Sequence, residues 1–239
     1  MFETIAIIIA ALLPAITIWI YIWKKDPRPE PTFQLVKATL AGILICIPLV
    51  LIENAIGFTL FGRTGGPITL FGTTIQAFLE AALPEESFKL LALWLMLRRN
   101  PYFDEHFDGI VYAVCVGLGF ASIENIFYLF NNMDSWQSVA ISRALLSIPG
   151  HYAFAVMMGY YYSVHHFIDH SPRTAAYILL IPVLGHGVYD ALALSGQVNP
   201  YVGGISFFIL IYFCIKMQKF AKEKVVAQIE QDKQKQTNT

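Results

Sequence analysis

The sequence predicts an all-α fold: a polytopic transmembrane helical bundle of about seven spans, with its N-terminus outside and its C-terminus inside. Three observations carry this. Hydrophobic residues make up 56% of the 239 positions and charged residues only 14%, against about 25% charged in a soluble domain. The apolar residues fall into runs of about 20, the length at which a helix crosses ~30 Å of hydrocarbon. Lysine and arginine gather in every second loop, as the positive-inside bias requires.

The first run, 2–23, has the length of a span but not the layout of a secretory signal. Its basic residues Lys24, Lys25 and Arg28 follow the apolar stretch, and no small-residue cleavage site stands out. It reads as a retained helix that starts outside. The second span, 36–56, leads to a loop whose basic residue is Arg63. The third, 68–98, is long, with Pro84 near its centre. Proline lacks an N–H and clashes with the preceding turn, so a kink is expected, or a break into two half-helices with Pro84 opening the second. A break at mid-membrane depth is tolerated only where protein or a water-filled cavity satisfies the freed backbone groups. Arg98 and Arg99 mark the inner end. Spans 108–130 and 137–163 are joined by an outer loop without Lys or Arg, as are spans 174–194 and 201–217, and Arg173 stands on the inner side between them. Lysines from Lys216 to Lys235 follow the last span, so the bias alternates at every crossing.

The chain reads as one integral-membrane domain, 1–220, with a motif-bearing core of about 70–195. A polar cytoplasmic tail, 221–239, is expected to extend the last helix and then fray at QKQTNT. Its lysines suit anionic headgroups, so membrane lipids are the expected contact, and there is no nucleic-acid signature. Cys46, Cys115 and Cys214 stand singly within apolar runs. Odd in number and without a CxxC pair, they give no disulfide framework and read as packing residues.

An ionisable residue inside a span is costly, so it needs a partner or a function. Four successive spans hold Glu80, Glu85, Glu86, Lys89, Glu124, Arg143, His151, His186 and Asp190. In Pro84-Glu85-Glu86-Ser87-Phe88-Lys89 a helix puts Lys89 within reach of both carboxylates, at i,i+4 and i,i+3. Adjacent glutamates point ~100° apart, so one can face a site while the other braces a neighbouring helix. Two close carboxylates in a low dielectric tend to share a proton, and a group poised that way serves as a general base. The plainer reading, a neutralised structural ion pair, does not explain two acids near the bilayer centre.

Glu124 and Asn125 lie in the fourth span with Tyr128 one turn on, placed to hydrogen-bond Glu124. Ala113, Gly117 and Ala121 form a small-residue stripe that reads as helix packing. Arg143 and His151 are two turns apart on the fifth span, roughly on one face. Arg143 either snorkels outward or pairs with an acid. A lone histidine at mid-span is more often a packing residue, a reading that weakens beside three acids. His186 and Asp190, at i,i+4 in the sixth span, suit a carboxylate that holds one ring nitrogen and fixes the tautomer. Gly185 and Gly187 leave room beside that ring. His165, His166 and His170 fall at the inner end of span five and read as solvated. Counted along their spans, Glu85, His151 and His186 come near mid-membrane and Glu124 somewhat nearer the outer face. One shared site in the central-to-outer part is geometrically possible.

The ordered set EExxK (Glu85, Glu86, Lys89), GFAxxENxxY (Gly119 to Tyr128), RxxxxxPxH (Arg143, Pro149, His151) and HGxxD (His186, Gly187, Asp190) resembles the PrsW family of bacterial intramembrane proteases. That family is related to the CAAX-processing and bacteriocin-processing membrane proteases. Each motif alone is weak; the ordered set is specific. The resemblance implies a multi-pass protein of the bacterial plasma membrane that hydrolyses a peptide bond in or beside a transmembrane segment. The implied partner is a single-span membrane protein such as an anti-sigma factor, cut first on the outer side in a stress response.

Peptide hydrolysis needs an activated water, a stabilised oxyanion and a proton for the leaving amine. The expected catalytic residues are Glu85, Glu86, Glu124, His151 and His186, supported by Lys89, Asn125, Tyr128, Arg143 and Asp190. Glu85 or Glu86 is the general base, with Lys89 tuning the pair. His186, held by Asp190, or His151 polarises the carbonyl and donates the proton. Asn125 is an oxyanion donor, and Glu124 a second acid or a brace for a histidine. No cofactor is favoured, because the acids outnumber the histidines and Lys89 competes with a cation. The alternative is zinc held by Glu85, Glu124, His151 and His186, although the HExxH signature is absent. The rival class is a proton- or ion-coupled transporter, which intramembrane acids and a broken helix also suit. Against it, no inverted repeat is visible and seven spans do not divide in half.

Overall fold

A computed structural model describes residues 2–62 and 68–237. Arg63 of the second loop and Asn238 and Thr239 of the tail lie outside the described residues. Within them the chain forms helices, turns and short connections, with no strand. The order is α1 (Phe2–Lys25), α2 (Thr32–Phe61), then a rod made of α3 (Leu70–Ile75), a π-helical stretch (Gln76–Ala82) and α4 (Leu83–Leu97). α5 (His106–Asn131) follows, then a second composite rod of α6 (Trp136–Ser142), a π-helical stretch (Arg143–Ser147) and α7 (Ile148–Phe167). α8 (Pro172–Leu194) and α9 (Pro200–Thr237) complete the bundle. Six of these seven rods are long and apolar enough to cross a membrane. The rod 70–97 falls short in composition only, because Glu80, Glu85, Glu86 and Lys89 crowd it.

Each π-helical stretch comes just before a proline, Pro84 or Pro149. A proline ring clashes with the carbonyl four residues back and offers it no N–H. Widening the preceding turn relieves both problems. The interruption expected at Pro84 therefore takes the form of a π turn inside one continuous rod.

α5 is the centre of the bundle, enclosed by α1, α2 and α7 and buried almost continuously from Phe107 to Ala121. Glycines let backbones meet there. A Cβ on Gly42 of α2 would lie 2.0 Å from the Val116 carbonyl oxygen, and one on Gly119 2.1 Å from that of Thr39. On the α7 side a Cβ on Gly159 would lie 2.3 Å from the Gly109 carbonyl oxygen. The expected stripe takes part through Gly117, which faces Ala155. The outer surface is the reverse of a soluble protein's: Ile9, Leu13 and Ile16 of α1 and Leu44, Ile47 and Leu51 of α2 are exposed, as lipid-facing residues should be.

Residues 221–237 of the polar tail are helical and docked, where fraying is expected from Gln234 onward. α9 runs on to Thr237 because Ala221, Val225, Gln228 and Asp232 recur at helical spacing and are all buried. Asp232 accepts hydrogen bonds from the backbone N–H groups of His106 at 2.8 Å and Phe107 at 2.9 Å. It thereby caps the inner end of α5, where the first turn leaves N–H groups without intrahelical partners.

Candidate functional site

Polar side chains of α4, α5, α7 and α8 meet on one side of the bundle against a cavity of about 830 Å³. The cavity wall includes Asn131, Asn132, Gly196 and Gly203. These stand at the helix ends that the Lys/Arg bias places outside, so the cavity belongs to the outer half.

The site is built on α4, immediately after the first π turn. Glu85 lines the cavity, whereas Glu86, one residue on, is turned into the bundle and is only 1% exposed. Lys89, one turn below, donates to Glu85 Oε2 and to Glu86 Oε1, both at 2.9 Å. It also donates to His151 Nδ1 at 3.3 Å, and the Phe120 ring covers it with a centroid 4.0 Å away. All three ammonium hydrogens thus have a partner. The pairing expected from spacing is present, and so is the division of roles: one glutamate faces the cavity and the other braces.

His151 is held from both sides. Its Nε2–H donates to Glu124 Oε2 at 2.8 Å, and Nδ1 accepts from Lys89, so one neutral tautomer satisfies both contacts. Arg143, on the second π turn, donates from Nη2 to the same Glu124 oxygen at 2.8 Å. It pairs with an acid and does not snorkel outward. Two expectations are corrected here. Asn125 is fully buried; its Nδ2 donates to the Ala11 carbonyl at 2.8 Å and its Oδ1 accepts from Arg143 Nε. It is a brace for Arg143, enclosed away from the cavity, and not placed as an oxyanion donor. Tyr128 offers Arg143 its ring face, 3.9 Å from the guanidinium carbon, in place of a hydroxyl bond to Glu124.

His186 lies between two carboxylates. Nδ1 is 2.9 Å from Glu86 Oε1 and Nε2 is 3.2 Å from Asp190 Oδ2. The ring stacks on Phe154, 5.0 Å between centroids, and meets His151 edge-on at 5.3 Å. The i,i+4 tie to Asp190 is the one expected. The space that Gly185 and Gly187 leave is filled by protein: a Cβ on Gly187 would lie 2.4 Å from the Phe78 ring, and one on Gly185 would press on Met217 and Phe154. His165, His166 and His170 sit at the opposite end of α7, away from the cavity.

Two cavity acids had no expected role. Glu80, on the first π turn, and Glu53, on α2, both line the wall. Glu53 was legible in principle as an acid interrupting the second apolar run.

Glu85, Glu86, His151 and His186 are buried, and each offers a ligand atom within 4.8 Å of all the others. Two carboxylates and two imidazoles suit zinc. Glu124 and Asp190 also occupy the second ring nitrogens of the two histidines, as carboxylates do behind metal-bound imidazoles. The donor set therefore fits a divalent cation. It differs from the expected one in that Glu86 replaces Glu124, whose contacting oxygen is already shared between Arg143 and the far nitrogen of His151. The Lys89 ammonium stands among the same donors, so a metal could enter only if Lys89 withdrew.

Residues 30–217 match the family described as PrsW family intramembrane metalloprotease. The chain is 33% identical over 219 residues to Protease PrsW of Geobacillus kaustophilus, covering 91% of this chain and 92% of that one. It is 36% identical over 186 residues to Protease PrsW of Clostridioides difficile, covering 75% and 76%. With Protease PrsW of Oceanobacillus iheyensis it shares 33% over 187 residues, covering 78% and 82%. No solved structure matches it. The chain belongs to the PrsW family and is a multi-pass intramembrane protease.

Proposed function

We propose that the outer-half cavity receives a single-span, membrane-anchored protein, of which an anti-sigma factor is the leading example, and that Glu85 activates the water that cuts it. The observation that carries this reading is the asymmetry of the glutamate pair: Glu85 faces the cavity, while Glu86 is locked behind it by Lys89 and His186. Lys89 occupies one oxygen of Glu85, which leaves the other for a water. Glu85 takes a proton from that water as its oxygen attacks the scissile carbonyl carbon. Both ring nitrogens of His151 and of His186 are engaged in the resting site, so the oxyanion is stabilised by the His186 Nδ1–H turning to it from Glu86. The proton then passes to the amide nitrogen, the C–N bond breaks, and a carboxylic acid and an amine leave. Asp190 and Glu124 hold the two rings in position throughout.

The donor set Glu85, Glu86, His151 and His186 supports a second reading, in which these residues hold zinc. A bound zinc supplies Lewis-acid polarisation of the carbonyl and a water ionised near neutral pH. Glu124 and Asp190 then orient the two imidazoles, and Lys89 gives up its place between the glutamates.

The test is co-expression of candidate single-span membrane proteins with wild type, Glu85→Gln, Glu86→Gln or His186→Ala at matched levels. Cleavage by wild type that disappears in the variants supports the site. Unchanged cleavage in all of them assigns the activity elsewhere. Elemental analysis of the purified protein separates the two readings: stoichiometric zinc that is lost with His186→Ala overturns the metal-free one.

A further inference from the structure

The cavity continues outward beyond the catalytic cluster, and its charge is unbalanced there. Within the cluster each acid has a basic partner: Glu85 and Glu86 have Lys89, Glu124 has Arg143, and Asp190 has His186. Glu53 and Glu80 line the same cavity, and among the described residues neither forms an ion pair. Glu80 Oε2 is shut off from solvent without a hydrogen-bond partner, and the polar group beside Glu80, Gln76 one turn earlier, is uncharged.

The placement is built. Gly57 of α2 opens a notch that the Glu80 carboxylate fills: a Cβ on Gly57 would lie 2.7 Å from Glu80 Oε1. Glu53 precedes Gly57 by one turn of the same helix, so the two carboxylates share one wall. The π turn is the segment that presents Glu80 there, and such turns recur at functional sites. Acids without a cation are costly in a low-dielectric setting. Packing alone would be served as well by glutamine, and a cation that enters the cavity is the partner these two acids lack.

We infer that Glu53 and Glu80 receive a lysine or arginine side chain of the substrate and so set cleavage-site specificity. This rests on the reading of Glu85 as the water-activating base. Glu80 lies five residues outward of Glu85 on one helical rod, about 7.5 Å at the α-helical rise, or about two residues of extended chain. The recognised cation is therefore expected two to three residues from the scissile bond, on its outer side.

The experiment uses the full-length protein in liposomes and a library of single-span reporters. Each reporter carries one Lys or one Gln at successive positions in the outer half of a Leu/Ala span. Wild type is expected to cleave the best Lys reporter about tenfold faster than its Gln counterpart, the scale of a charge-assisted hydrogen bond. Glu53→Gln/Glu80→Gln is expected to cleave both at the Gln rate. An equal Lys-to-Gln ratio in wild type and double variant overturns the inference, as does a wild type without preference. Loss of all cleavage in the double variant also overturns it, since the acids would then serve the reaction or the fold and not selection. Glu85→Gln runs in parallel: cleavage that survives in it contradicts the catalytic reading, whereas Glu85-dependent cleavage without Lys preference contradicts the specificity inference alone.

Discussion

The inner end of the bundle and its outer half both bury acids, and they use them differently. At the inner end Asp26, Glu30, Glu105, Asp108 and Asp232 are all at most 7% exposed. Their oxygens serve mainly as caps and ties. Asp108 Oδ2 accepts from the backbone N–H groups of Asp104 and Glu105, Glu105 holds Arg28 at 2.7 Å, Tyr112 donates to Glu30, and Asp232 caps α5. In the outer half Glu85 is just as buried, at 6%, but it borders a cavity and has neighbours that carry protons: Lys89, His151 and His186. A buried acid is therefore not a functional mark by itself. Arg28 and His106 pair with Glu105 and Asp232 at the inner end as well, so what separates the two regions is that Glu85 borders the cavity of about 830 Å³ together with both histidines, His151 and His186.

The largest expected effect that sharpens this contrast is at Glu85. Glu85→Gln should lower the cleavage rate by ~10³-fold, within the range for removing a positioned general base, with little change in thermal unfolding. Next comes Glu124→Gln, which acts through His151 and Arg143. A loss of ~10–100-fold in rate is expected, read from initial cleavage rates in liposomes. Cleavage unaffected by either change would erase the distinction between the two regions.

At the inner end the signs reverse. Asp232→Ala should cost ~1–2 kcal/mol of stability by uncapping α5 and should make the segment beyond Phe220 sensitive to added protease, while the cleavage rate per folded molecule stays the same. The smallest effect concerns pH. Burial pushes the Glu30 carboxyl up to about 7 from 4.5. Between those values the folded chain keeps a proton that the unfolded chain has released, so wild-type stability falls as pH rises through the window. Glu30→Gln should therefore raise the unfolding temperature at pH 8, and the advantage should shrink as pH falls toward 4.5. An advantage that is constant with pH would show that the glutamate is ionised in the folded chain throughout.

Much of this was legible in the sequence, for physical reasons that also mark its limits. Membrane crossing imposes long apolar runs and alternating basic loops, so spans and orientation can be read directly. Charge within a span is costly, so the residues of the cluster announce themselves. Spacing along one helix gives the ties of Lys89 to both glutamates and of Asp190 to His186. It cannot give contacts between helices, such as Glu86 to His186 across 100 positions, nor the enclosure of Asn125 between Ala11 and Arg143. Pro84 signals an irregularity, but its form as a π turn depends on a helix that continues on both sides. The docking of residues 221–237 was obscured because the stripe on that face ends in Gln228 and Asp232, polar residues that composition assigns to solvent.

The most direct test of the central claim sets Glu85→Gln and Asp232→Ala side by side in purified, liposome-embedded protein, measuring for each the cleavage of one substrate and the thermal unfolding midpoint. The account predicts a crossed result: the Glu85 variant loses cleavage and keeps its midpoint, while the Asp232 variant keeps cleavage per folded molecule and loses several degrees. Cleavage that persists in Glu85→Gln and disappears in folded Asp232→Ala would contradict it, and would move the chemistry to the inner end of the bundle.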